Sequence, residues 1–281
     1  MMPLLAALAL LQASPAAAPL PSDPVPADWR AIPDDQILVM TLAGGHQVVI
    51  RLAADYTPAH VANIRKLALA HWWDNSAVYR VQENWVTQWG DPTEKKALPE
   101  GVAAKVTPEF EISRFAPAQR LAKADAYSTT SGYTADGWPV ASDGGVAWLT
   151  HCYGMVGVAR DSDPESGSGS ELFTPIGQSA RRLDRNYTVV GRVIEGMEYL
   201  SGLTRSDAPM GMYAQASEYT PIVSVRLASD IPAAQRPHFQ YRATDNPRFA
   251  ALIAMREHPK PPMVGGGAEV CDIALGARRA P

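Results

Sequence analysis

Cysteine is nearly missing from this chain: its 281 residues hold only Cys152 and Cys271, and no CxxC pair. The six histidines are scattered. Together these facts remove the clustered ligands of a zinc site and the dithiol of a redox motif, so no metal or cofactor is expected. Basic residues do not outnumber acidic ones. The formal net charge of −4 leaves no basic footprint, and nucleic acid is not an expected partner. Beyond the first dozen residues no apolar run approaches the ~18 needed to cross a bilayer, so no membrane span is expected. The run Gly167-Ser168-Gly169-Ser170 lacks the spacing and following lysine of a phosphate loop. Ser170 lacks the G-x-S-x-G elbow of a hydrolase, and Asp161, Asp163 and Glu165 do not follow the EF-hand pattern. Internal repeats and charge blocks are missing as well.

What is present is an ordinary globular composition, 46% hydrophobic and 19% charged. The N-terminus departs from it. A leucine/alanine core from Leu4 to Leu11 precedes the small residues Ala16-Ala17-Ala18, which suits a signal peptidase even though no Lys or Arg stands before the core. The pattern predicts a signal peptide over residues 1–18 and a secreted, periplasmic protein. A proline-rich linker over 19–36 follows, whose composition through residue 29 favours extended, loosely ordered chain. In an oxidising compartment the two cysteines can be joined. Two buried thiols packed as small hydrophobes are the alternative, and their separation in sequence does not choose between them.

Along the chain, ILVMTLAGGHQVVIRL (37–52) places two β-rich runs around Gly44-Gly45, a hairpin by turn chemistry. In TPAHVANIRKLALA (57–70), Thr57 can cap, Pro58 suits the first helical position, and Val61, Ile64, Leu67 and Ala68 recur at helical spacing. VYRVQENWVTQWGD (78–91) then reads as strand, polar break, strand. Residues 92–147 are polar and irregular, with one helical patch over 117–124, and are expected to be a long loop insertion. Strands follow at CYGMVGVAR, ELFTPIG and PIVSVRL, and YTVVGRVIEGMEYLSGL turns from strand into helix. After Ala228 a helix capped by Thr244 or Asp245 carries Phe249, Leu252 and Ile253 on one face, and AEVCDIALG is β-prone.

The stretch 78–91 poses a chemical question, because it seats Arg80 and Gln88 inside strands, where polar groups are costly without partners. Two later blocks answer it. YGMVGVARDSDPESGSGSELF carries Gly154, Ala159, Gly169, Ser170 and Phe173, and LDRNYTVVGRVIEGMEYL carries Leu183, Asp184 and Gly196-Met197. In this order and spacing the three blocks resemble the cyclophilin-type peptidyl-prolyl cis-trans isomerases, whose pattern runs approximately F-H-R-V-x-x-x-F-M-x-Q-G-G-D, then G-x-x-x-M-A, G-S-Q-F-F-I and L-D-G-x-x-x-V-F-G-x-V-x-x-G-M. The resemblance spans about 37–227 and implies a mainly β fold: a closed eight-stranded antiparallel β-barrel capped by two helices, with a packed interior and a groove on its outer wall. The insertion 92–147 and an extension over 228–281 are expected to pack on that barrel, neither having a core of its own size.

The implied reaction is rotation about X–Pro bonds, opposed by amide resonance worth ~18–20 kcal/mol. It needs an apolar pocket for the proline ring and a cation aimed at the prolyl nitrogen, whose pyramidal form belongs to the transition state. The resemblance assigns the donor to Arg80. It assigns substrate contacts to Trp85, Val86, Gln88, Ala159, Glu171, Phe173, Leu183 and Tyr187. Trp89 reads as an ordinary core aromatic. Expected partners are proline-containing segments of unfolded or exported proteins, met by a monomer. Several residues depart from the pattern. Tyr79 stands at the histidine of F-H and Leu172 at the first phenylalanine of the F-F pair. Tyr187 replaces another histidine, Val158 the methionine of M-A, and Arg160 the asparagine that follows. Arg182 stands where cyclosporin-sensitive members have tryptophan, which predicts weak cyclosporin binding. Glu171 replaces glutamine; an ion pair between it and Arg80, together with the aromatic missing at Leu172, would favour an alternative function, a catalytically weak binding module or chaperone.

Overall fold

A computed structural model of the chain describes residues 22–112 and 117–281. The predicted signal peptide, residues 1–18, lies outside them. In chain order the regular elements are strand β1 (Trp29–Ala31), β2 (Ile37–Leu42), β3 (Gln47–Leu52), helix α1 (Pro58–Leu69), β4 (Ala77–Val81), β5 (Val86–Gly90), β6 (Gln119–Arg120), β7 (Thr130–Tyr133), β8 (Pro139–Asp143) and β9 (Val146–Leu149). Then come β10 (Met155–Val158), β11 (Leu172–Pro175), β12 (Val189–Glu195), the short α2 (Glu198–Ser201), β13 (Thr220–Leu227), β14 (Phe239–Arg242), α3 (Pro247–Glu257) and β15 (Ala277–Arg279).

Eight strands close into an antiparallel barrel in the order β10-β11-β5-β4-β13-β2-β3-β12, as expected. Gly44 and Gly45 take φ of 85° and 81°, the left-handed values that let the β2–β3 connection turn. Inward residues such as Leu38, Met40, Val48, Ile50, Val156 and Val190 fill the interior. Val61, Ile64, Leu67 and Ala68, one stripe of α1, join the same cluster. Trp89 is buried there too, as expected of a core aromatic.

The segments outside the barrel differ from their expectation. The insertion is more than a loop: β6-β7-β8-β9 form a four-stranded sheet. The helical patch predicted over 117–124 is replaced there by strand β6. Tyr133, Val140 and Leu149 of that sheet, with Trp138 of its β7–β8 turn, bury with Phe249, Ile253, Val270 and Ile273 of the extension, with Met155 and Val189 of the barrel and with Ala53 just past β3. Neither segment has a core alone, yet together they complete one against the barrel. The third helix among the described residues, α3, is the one expected in the extension, and it belongs to this second cluster.

From Ser22 onward the expected linker is ordered rather than loose. Trp29–Ala31 pairs antiparallel with Arg242–Gln240, and β14 pairs with β15, making a three-stranded sheet from both ends of the chain. Phe239 from that sheet covers Ile37, Val39 and Val49 on the barrel's outer face. The cap of α3 is Asn246, whose side chain accepts the Phe249 N–H at 3.0 Å, with Pro247 at the first helical position. Thr244 and Asp245 do not cap it. The β-prone segment 268–276 forms no strand, and pairing begins at Ala277. The two cysteines are joined: Cys152, ahead of β10, bonds Cys271 in the extension across 119 residues.

Candidate active site

Strand register assembles the site. In the β4–β5 pair a register shift between Val78 and Arg80 brings Arg80 opposite Gln88. Gln88 also faces Phe173 on β11, and Phe173 faces Gly157 on β10. One row, Arg80–Gln88–Phe173–Gly157, thus crosses four adjacent strands of the barrel wall. Val86 shares the Gln88 face by strand alternation. Trp85 enters at the start of β5, and Ala159 follows the end of β10. Leu183 and Tyr187 come from the connection between β11 and β12. All of these except Gly157, which lies behind Phe173, line a groove of about 500 Å³.

The floor is aromatic. The Phe173 ring meets Tyr187 edge-on, with centroids 5.6 Å apart, and stacks on His151 at 5.8 Å. Asp184 orients His151 by accepting its backbone N–H at 2.8 Å and standing 3.1 Å from its Nδ1. Gly157 is demanded by close approach, since a Cβ there would lie 2.3 Å from Phe173 Cζ. Gly157→Ala is expected to push the ring out of the groove, costing about 1–3 kcal/mol of stability and weakening peptide binding. Thermal melts and the Michaelis constant for a proline peptide check it; an unchanged constant would show that Phe173 does not form the floor.

Arg80 is held by three acceptors. Its Nε donates to the Met210 carbonyl at 2.7 Å, NH1 to Gln88 Oε1 at 3.0 Å and NH2 to Gln82 Oε1 at 2.7 Å. A guanidinium has five N–H bonds, so one on each terminal nitrogen is left for a substrate. Burial leaves its unspent donors poorly solvated, and the same desolvation presses its pKa below the ordinary value. The Met210 carbonyl arrives on a loop that runs along β4: Ser206 N–H bonds the Val81 carbonyl and Tyr213 N–H the Tyr79 carbonyl. Met210 and Met212 from that loop stand exposed at the groove's rim.

The sequence model for the cyclophilin type peptidyl-prolyl cis-trans isomerases matches residues 37–227. The chain belongs to that family. Its cyclophilin domain is therefore a peptidyl-prolyl isomerase, an enzyme that acts on proline-containing peptides. No curated protein sequence matches the chain. Among solved structures, it is similar to cyclophilin AquaCyp293 from Hirschia baltica, with a TM-score of 0.71, 24% identity, and coverage of 90% of this chain and 94% of that one. That coverage exceeds what residues 37–227 contribute, so the shared fold reaches into the segments that flank them. A cyclophilin-type isomerase of Cryptosporidium parvum, solved in the presence of the dipeptide Ala-Pro, is a more distant likeness. It has a TM-score of 0.45 and 15% identity over 68% of this chain and 98% of that one.

Within the cyclophilin groove, Arg80, Trp85, Val86, Gln88, Ala159, Phe173, Leu183 and Tyr187 come together. Glu171 does not line it. Its side chain turns into an adjoining cavity of about 390 Å³, where Oε2 accepts the Tyr79 hydroxyl at 2.7 Å and Oε1 the Asp91 N–H at 2.8 Å. Both oxygens are engaged there, and the Arg80 guanidinium bonds Met210, Gln88 and Gln82 instead of this carboxylate. Gln82, Met210 and His151 went unrecognised in the sequence. Gln82 had a signal, since it lies two residues beyond Arg80 on the same face of the strand. Met210 had none, because its role belongs to a backbone carbonyl brought in from 130 residues away.

Proposed function

We propose that this chain is a folding catalyst for exported proteins, which turns X–Pro bonds with Arg80 as the donor to the prolyl nitrogen. One observation carries the reading: a guanidinium clamped by three acceptors, with two N–H bonds unspent, at the edge of a groove floored by Phe173 and walled by Val86 and Leu183. The ring of a substrate proline enters the apolar part. Gln88 holds the substrate backbone, and Trp85, Ala159 and Tyr187 border the flanking residues. Donation from Arg80 strengthens as the prolyl nitrogen loses amide resonance, so it favours the transition state over either ground state. No nucleophile or proton transfer is required.

Export is supported by the leader-like residues 1–18 and by the Cys152–Cys271 disulfide, a bond that persists in oxidising compartments such as the periplasm. The protein acts there as a monomer on unfolded, proline-containing segments. The alternative, a weak binding module, calls for an Arg80–Glu171 ion pair beside the aromatic missing at Leu172. The engagement of Glu171 with Tyr79 and Asp91 supports catalysis instead.

The test is protease-free exchange of a proline peptide enriched in the cis isomer, with residues 19–281 beside Arg80→Ala. Loss of a transition-state donor predicts kcat/KM lowered about 100-fold in the variant. Equal activity in a folded variant would remove Arg80 from the reaction.

A further inference from the structure

Glu171 and Tyr79 both depart from the family pattern, which has glutamine and histidine at their places, and they touch each other. The contact is the far end of a chain of hydrogen bonds. Asp91 N–H donates to Glu171 Oε1 at 2.8 Å, and Tyr79 Oη donates to Glu171 Oε2 at 2.7 Å. Gln88 Nε2 donates to Tyr79 Oη at 2.7 Å, and Arg80 NH1 donates to Gln88 Oε1 at 3.0 Å. Gly90 makes room for the carboxylate, since a Cβ at that position would lie 1.9 Å from Glu171 Oε2.

The direction of this chain is set at the carboxylate end. An ionised carboxylate only accepts, so Tyr79 must give it the phenolic proton. Tyr79 Oη is then left to accept, which draws in the amide nitrogen of Gln88 and turns the amide oxygen toward Arg80. We propose that Glu171 is a positioning residue for isomerisation: through Tyr79, its carboxylate determines which end of the Gln88 amide faces Arg80, and so holds the guanidinium in its working place. The proposal rests on Arg80 being the donor.

Protonation reverses the direction. The Asp91 N–H keeps Oε1 as an acceptor, so a proton added to Glu171 sits on Oε2 and donates to Tyr79 Oη. The phenol must then give its own proton to Gln88. That turns the amide oxygen away from Arg80 and sets two donors, Nε2 and the guanidinium, against each other. The site therefore loses its order when Glu171 is neutral.

The surroundings bring this change into an accessible range. Burial raises the Glu171 carboxyl to about 7, and the negative charges of Asp91 and Glu94 add to the effect, against the bonds from Tyr79 and Asp91 N–H. Tyr79 itself is pushed upward by burial and by Glu171, so it stays a phenol. The cations at the same cavity are committed elsewhere. Lys96 donates to the Trp72 and Asp74 carbonyls, and Arg160 to those of Asn186 and Asp161.

The experiment is kcat/KM by the protease-free assay from about pH 5.5 to about pH 8.5 for the wild type, Glu171→Gln, Tyr79→Phe and Arg80→Ala. The wild type should rise about tenfold with pH, the lower end of the scale for one lost hydrogen bond to a charged group, with its midpoint near neutrality. Glu171→Gln offers an N–H to Tyr79 at every pH and should be flat at the wild type's acid level. Tyr79→Phe cuts the chain and should be flat as well, and it serves alone if Glu171→Gln does not fold. A wild type that shows no rise, a variant that keeps it, or a flat Glu171→Gln at the upper level would each overturn the proposal. If Arg80→Ala is inactive while Glu171→Gln still titrates, only the positioning role falls. If Arg80→Ala is fully active, the donor reading falls with it.

Discussion

Replacing Cys152 and Cys271 by serine should lower the free energy of unfolding by about 5 kcal/mol, the chain-entropy value for so long a closed loop. The bond spans 119 residues, which enclose β10 to β13 of the barrel, β14 and α3. In the unfolded chain it forbids most separations of its two ends, and that restriction disappears with the bond. In the folded chain it anchors the extension where packing is local: Val270 and Ile273 bury beside it, but residues 258–268 are largely exposed and contribute little. Losing the bond therefore frees the extension first, and the second hydrophobic cluster loses Phe249, Ile253, Val270 and Ile273. Denaturant unfolding of the oxidised protein against the double serine variant measures the effect. A difference under about 1 kcal/mol would mean that packing alone retains the extension. Activity should outlast this loss at moderate temperature, because the row Arg80–Gln88–Phe173–Gly157 is built from barrel strands.

Asp184→Ala should cost about 3–5 kcal/mol, the scale for stripping one partner from a buried charge. Asp184 accepts four bonds: from His151 N and Nδ1, Trp148 Nε1 at 3.0 Å and Arg181 Nε at 2.7 Å. Arg181 is buried and also reaches Asp125 of the insertion and Glu269 of the extension. One carboxylate thus ties the insertion and the extension to the connection that carries Leu183 and Tyr187. Its loss leaves the Trp148 N–H and the His151 backbone N–H without this acceptor, and it frees the ring stacked beneath Phe173. Stability and peptide affinity should fall together. The pH dependence supplies a second readout. Burial opposes ionisation of Asp184, but the bonds from His151 and the charge of Arg181 overcome it and hold its pKa below the ordinary 3.8. A carboxyl depressed in the folded state stabilises above its unfolded pKa, and loses that contribution as pH falls through the lower folded value. The wild type should therefore lose its advantage over Asp184→Ala only in strong acid. A constant difference down to about pH 2 would show that the charge contributes nothing.

Asp184 and the two cysteines show where local patterns stop. Asp184 was visible as part of the LDR motif, and Cys152 and Cys271 as a pair. Neither the four donors around the carboxylate nor the bond between the sulfurs follows from spacing, because each depends on chain segments brought together from far apart.

Elements with local causes are legible in the chain alone. Gly44-Gly45 between two β-rich runs makes a hairpin, and Thr57-Pro58 ahead of a stripe of apolar residues makes α1. The resemblance of three spaced blocks to the cyclophilin pattern implied one groove around Arg80, Gln88, Phe173 and Leu183; strand pairing carries the first three into one row, and Leu183 joins them from the connection after β11. Tertiary structure alone decided the rest. Trp29–Ala31 lies in a proline-rich stretch that looks unstructured, and becomes a strand because its partner, Phe239–Arg242, waits some two hundred residues later. The short strands of the insertion are too polar and too rich in glycine, serine and threonine to announce themselves; they form where the extension covers one face. Glu171 could be read as a rival for Arg80 until the bulge in β4 placed Tyr79 between them. Periodicity and turn chemistry act over a few residues, whereas strand partners, disulfides and the direction of a hydrogen-bond chain are fixed only when distant segments meet.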